Sequence, residues 1–183
     1  MECLKQNNLF FKILIFFLVI PIFSYSQNTN LGSLNYLNES NGFENIYLDE
    51  DISLIPQGKL AYMDNDSIPD IDGCIKYEYG DLDQINNKSN LNLDLVGIRV
   101  YKHKIINIYL FFKKELGFDV FQSFEGNYGG CTERISDFTY RWETDNVKLY
   151  LEYDKGDLGL AIFSCKKLYR EIDRNNSKRL AAR

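Results

Sequence analysis

Apolar and polar residues alternate with a period of two through most of this chain, and nothing else constrains its fold as strongly. CIKYEYG begins at Cys74, LVGIRVY at Leu95, IINIYLFF at Ile105, FTYRW at Phe138, VKLYLEY at Val147 and LGLAIFS at Leu158. CIKYEYG, FTYRW, VKLYLEY and LGLAIFS put apolar side chains on one face of an extended segment, the pattern of a half-buried strand, while LVGIRVY and IINIYLFF read as the two strands of a hairpin. NGFENIYL, from Asn41, adds Phe43, Ile46 and Leu48 as a further strand. The connections around Asp145-Asn146 and Lys155-Gly156 carry hairpin chemistry, and Lys102-His103-Lys104 separates two strands with His103 at its tip. Short hairpins force antiparallel pairing.

One segment breaks the period. Phe118, Phe121, Phe124 and Tyr128 fall at spacings of three, three and four, a stripe along one helix, and Gly129-Gly130 ends it. Asp49 or Asp51 is placed to cap a short helical turn before Pro56. The expected fold is α+β: a curved antiparallel sheet of about six to seven strands, with the aromatic-striped helix packed on a face. Trp142 and Tyr140 are expected in the core rather than on an open platform.

The N-terminus reads as a secretory signal. Lys5 and Lys12 precede the apolar run ILIFFLVI, Pro21 breaks it, and Ser24 and Ser26 supply the small residues of a cleavage site before Gln27. The run is too short for a membrane span. The expected organisation is a signal peptide over 1–26, a polar linker over 27–42, an α+β domain over 43–165, and a basic C-terminal helix and tail over 166–183. The mature chain is then exported, periplasmic or extracellular, with no stable membrane span after cleavage.

Charge divides unevenly. The chain has 26 acidic and 21 basic residues, but the segment from Lys166 to Arg183 is strongly basic and the body before it strongly acidic. Such a body repels phosphate backbones, so nucleic acid is disfavoured as a partner. Cys74, Cys131 and Cys165 lie beyond the signal. In an oxidising compartment one bridge is expected, and counting strands up and down places Cys74 and Cys131 at one end and Cys165 at the other. Cys74–Cys131 is therefore the expected pair, with three buried free thiols as the alternative.

The sharpest chemical feature is DNDSIPDIDG, from Asp64 to Gly73. Asp64, Asp66, Asp70 and Asp72 offer hard oxygens to calcium, which takes six to eight. An EF-hand loop starting at Asp64 would need Gly where Pro69 stands and Glu where Ile75 stands, so that motif fails. DNDSIPD resembles half of a thrombospondin type-3 calcium repeat, with Asp64, Asp66 and Asp70 at its acidic positions and Ser67 where that family has Gly. The competing reading, which we favour, is a polar turn in which Asp and Asn satisfy their own backbone and Pro69 fixes φ. No phosphate loop, zinc-protease motif or serine-nucleophile elbow is present, and the lone His103 sits on a solvated turn.

Between Asn41 and about Ser164 the order of these motifs, from NGFENIYL through the aromatic helix to VKLYLEY, resembles small exported bacterial domains of unknown function. The resemblance implies a fold and no activity. Three function classes stay open: a binding or inhibitor-like domain acting on an unknown protein partner, a hydrolase with dispersed carboxylates, and a calcium-stabilised structural module. We adopt the first, with no enzymatic role and no required cofactor.

Overall fold

A computed structural model of the chain describes residues 31–64 and 68–181, with side chains through Lys178. Among the described residues ten strands and four α-helices follow one another. Helix α1 (Leu34–Ser40) leads into a small hairpin, β1 (Gly42–Phe43) and β2 (Ile46–Tyr47). Strands β3 (Leu60–Tyr62) and β4 (Cys74–Tyr79) precede α2 (Leu82–Ser89). Strands β5 (Leu93–Tyr101) and β6 (Lys104–Lys113) lead into α3 (Gly117–Tyr128). Then come β7 (Glu133–Ser136), β8 (Thr139–Glu143), β9 (Val147–Glu152), β10 (Leu158–Cys165) and α4 (Lys166–Ala181).

Eight strands form one antiparallel sheet in the order β3-β4-β5-β6-β10-β9-β8-β7. It is two four-strand meanders, each followed by a helix and joined through their last strands. Leu158 to Ser164 of β10 face Lys113 to Asn107 of β6. The β5–β6 turn uses Lys102 and His103, both with positive φ, the two-residue geometry that matches sheet twist.

Register sorts the two faces. Ile98, Ile108, Phe163, Leu149 and Trp142 form one row straight across the sheet. All five are buried, and α3 lies over them. The Phe124 ring meets Trp142 and Phe163 edge-on, at 6.0 and 5.8 Å between centroids. Trp142 Nε1 donates to the Gly129 carbonyl at 2.8 Å, which fixes the end of the helix. Phe118 departs from the expected stripe and is exposed. Each step of three residues turns the stripe by about 60°, so Phe118 lies about 120° from Phe124. Val120 takes the buried place instead.

Several expectations need correcting. The segment from Asn41 to Leu48 is a separate hairpin rather than a strand of the main sheet, while Leu60–Tyr62 and Glu133–Ser136 are strands that alternation does not reveal. Both are short edge strands, and all of β7 is exposed, so nothing imposes a buried face on them. The polar linker over 27–42 becomes α1 at its described end. Ser33 caps it, Leu37 is fully buried, and Tyr36 stacks on Tyr128 of α3. Asp81–Asn92, polar enough for a loop, contains α2: Ile85 is buried, and Asn86 bonds the Leu93 backbone at both N–H and C=O. In both helices tertiary docking outweighs poor propensity. The expected signal over 1–26 lies outside the described residues. No described helix is long and apolar enough to cross a membrane.

The extra strand β7 also reverses the cysteine count. Four strands, not three, follow α3, so Cys165 returns to the same end as Cys74 and Cys131. Cys74 lies on the second strand from one edge and Cys131 leads into the strand at the other. Six strand spacings are about 29 Å along the sheet. A bridge needs Cα atoms within about 7 Å. All three thiols are free. Burial holds Cys74 and Cys165 above the ordinary thiol value, so neither is a ready thiolate.

Alkylation of the unfolded, unreduced protein should therefore label Cys74, Cys131 and Cys165 alike; peptide mapping that finds a linked pair would contradict this arrangement. The β6–β10 seam supplies a stability test. Gly159 faces Phe112, and a Cβ there would lie 2.1 Å from the buried ring. Gly159→Ala should cost about 1–3 kcal/mol by overpacking, read as a lower denaturant midpoint.

Candidate functional site

The other face of the sheet is built differently. Arg99, Asn107, Ser164, Lys148 and Glu143 form one polar row across β5, β6, β10, β9 and β8. The next row holds Gly97, Tyr109, Ile162, Tyr150 and Arg141. The described residues on either side of the acidic loop, 63–64 and 68–71, lie over the β5–β6 end of this face. Met63 and Ile68 are buried against Tyr109 and Phe111. Gly97 leaves room for them, because a Cβ there would lie 2.4 Å from Ile68 Cδ1.

The loop read as calcium-like is thus a strap fastened by cations. Arg99 donates to the Pro69 carbonyl, and Lys76 Nζ donates to the Ile68 carbonyl at 3.1 Å. Lys76 also pairs with Asp70 at 2.7 Å and holds its carboxyl below the ordinary aspartate value. Asp64 and Asp72 are exposed, and Asp66 lies outside the described residues. Among the described residues no three acid, His or Cys side chains are grouped to hold a metal. His103 is exposed on its hairpin, and Trp142 and Tyr140 are core residues.

Beyond the strap the polar face opens into a cavity of about 490 Å³. Tyr109, Ile162 and Tyr150 are its floor, side by side on β6, β10 and β9. Ser164 and Lys148 from the sheet, and Tyr169, Arg170 and Asp173 from α4, complete its lining. Helix α4 is anchored there by buried Leu168 and Ile172, and by Lys102–Glu171 and Lys166–Glu143 ion pairs at 2.7 Å each. Strands and a docked helix make a rigid frame for the cavity.

Behind the lining residues Tyr109, Ser164 and Tyr169 lies a buried polar cluster. Arg99 is 3 % exposed and Asn107 fully buried. Asn107 Oδ1 accepts from Tyr169 Oη at 2.9 Å, from Arg99 Nη1 at 3.0 Å and from Tyr109 Oη at 3.4 Å. Asn107 Nδ2 donates to Ser164 Oγ at 2.8 Å. The Arg99 guanidinium also lies 5.0 Å from the centre of the Tyr109 ring. Burial pushes the Tyr109 hydroxyl well above the ordinary phenol value, so it stays protonated.

A second cavity of about 490 Å³ separates α1, the β1–β2 hairpin, α2 and α3. Glu44, Lys88 and Asp119 line it. Partial burial raises the Glu44 carboxyl, and Lys88 partly offsets that effect. Opposite charges there answer one another.

Comparison with protein-family models, with curated proteins and with solved structures finds no match to this chain. None of the residues lining the sheet cavity stands out as a motif. Asn107, polar in the middle of the apolar run IINIYLFF, is the one local signal.

The strap yields a test with a definite sign. The Asp70 carboxyl is depressed in the folded state, so its contribution is present above the ordinary value of about 3.9 and is lost as pH falls through the lower folded value. Asp70→Asn should lower the melting temperature slightly at neutral pH, and the gap to wild type should close as acid protonates the carboxyl in the folded protein. A gap that persists in acid would mean that the Lys76 pair is not its source.

Proposed function

We propose that this is an exported, non-enzymatic binding domain, and that its ligand is a small molecule held in the cavity between the polar sheet face and α4. One observation carries the reading: a cavity of ligand size whose floor is a Tyr109–Ile162–Tyr150 row on adjacent central strands. Binding sites are typically concave, mostly apolar, and about 300–1,000 Å³ in volume, with a few convergent polar groups. Ring faces and an aliphatic side chain supply the apolar contact, and Tyr169, Ser164 and Lys148 supply the polar groups. The short apolar run and small-residue cleavage pattern at the N-terminus support export.

The neutral fluorescent probe N-phenyl-1-naphthylamine tests this reading, because it enters apolar cavities without selecting charge. The wild type should bind it with enhanced emission, and Ile162→Trp, which fills the floor, should abolish the signal without lowering the melting temperature by more than a few degrees. Absence of binding, or binding indifferent to Ile162→Trp, would remove the cavity as the ligand site.

A further inference from the structure

Hydrogen-bond donors outnumber acceptors in the buried cluster behind the cavity residues Tyr109, Ser164 and Tyr169. A carbonyl oxygen has two lone pairs. Three donors converge on the single Oδ1 of Asn107: Arg99 Nη1, the Tyr169 hydroxyl and the Tyr109 hydroxyl, the last at a long 3.4 Å. Arg99 Nε is buried with no partner. The Ser164 hydroxyl accepts from Asn107 and finds no acceptor of its own among the described residues. A surplus of donors in a buried cluster is costly, and a ligand oxygen relieves it.

Charge points the same way. Arg99 has no ion-pair partner among the described residues, although a buried guanidinium is normally matched by a carboxylate. At the mouth, Lys148 and Arg170 are likewise without ion pairs among the described residues, against the one acid Asp173. The Lys166 ammonium is already engaged by Glu143. The cavity is therefore locally positive in a chain whose net charge is −5.

Building on the cavity reading above, we infer that the ligand is an anion, a monocarboxylate with an apolar body. Its carboxylate would accept from the Tyr109 and Ser164 hydroxyls and answer the Arg99 charge through the Asn107–tyrosine cluster. The body would lie along Ile162 and Tyr150. The acidic surface does not oppose this, since a carboxylate inside the cavity meets the local groups in a low-dielectric setting while outer charges are screened.

Isothermal titration with three eight-carbon probes separates headgroup from chain: octanoate, octanol and octylamine, all below their aggregation concentrations at pH 7. Octanoate should bind at least about tenfold more tightly than either of the others, as expected for one or two charge-assisted hydrogen bonds. Tyr109→Phe and Ser164→Ala should each weaken octanoate by about threefold to tenfold and leave octanol unchanged. Equal affinity for octanoate and octanol, or a preference for octylamine, would overturn the anion inference and leave the cavity reading standing. Binding of none of the three probes would overturn both. Loss of octanol affinity in Tyr109→Phe would show general damage to the cavity and would also count against the inference.

Discussion

The pairing of β6 with β10 is the contact on which the rest of this structure depends. It brings residues 107–113 against 158–164 and makes one eight-stranded sheet from two four-strand meanders. On one face it sets Ile108 beside Phe163, the surface on which Phe124 packs. On the other it sets Tyr109 beside Ile162, in the floor of the cavity, and Asn107 beside Ser164, in the polar cluster behind it. A slip of β10 by one residue would turn that strand over, carrying Phe163 from beneath α3 to the polar face. Core and cavity are thus two consequences of one register. The close fit of Gly159 to the Phe112 ring helps to fix it.

The polar face carries a cost that the apolar face does not. Arg99 holds the strap through the Pro69 carbonyl and touches Asn107, yet it forms no close ion pair among the described residues, and its charge reaches the Asp70 carboxylate only as a minor influence beside Lys76. Apolar replacements of buried ionic groups are often at least as stable, so stability alone is a weak reason for a buried guanidinium. The strap, the sheet and α4 all close on this cluster, so the site is held by three parts of the chain far apart in sequence.

The sequence reading succeeds where burial is one-sided and fails where it is absent or comes from elsewhere. Strands such as VKLYLEY alternate because one face is core, and Val147, Leu149 and Leu151 are all buried. The edge strand ERIS has no buried face and so no alternation. Missing it reversed the strand count and placed Cys165 at the wrong end. Helices α1 and α2 are rich in Asn and Ser, and they exist because Leu37 and Ile85 dock on structure made by other segments. The site was less legible still. Arg99, Tyr109, Tyr150, Ser164 and Tyr169 are unremarkable one by one, and only Asn107 breaks its local pattern.

By itself the sequence determined the α+β class, the antiparallel pairing, the hairpin at His103, the helix ending at Gly129 and the core position of Trp142. These follow from local rules: periodicity, turn chemistry and the capping preference of Asp51. The tertiary structure alone decided the strand order, the lateral separation of the cysteines, the use of the acidic loop as a strap and the existence of the cavity. The physical reason is that each of these depends on which strands become neighbours. That choice is made by long-range pairing and by the match of faces across the sheet, which no short window of sequence contains.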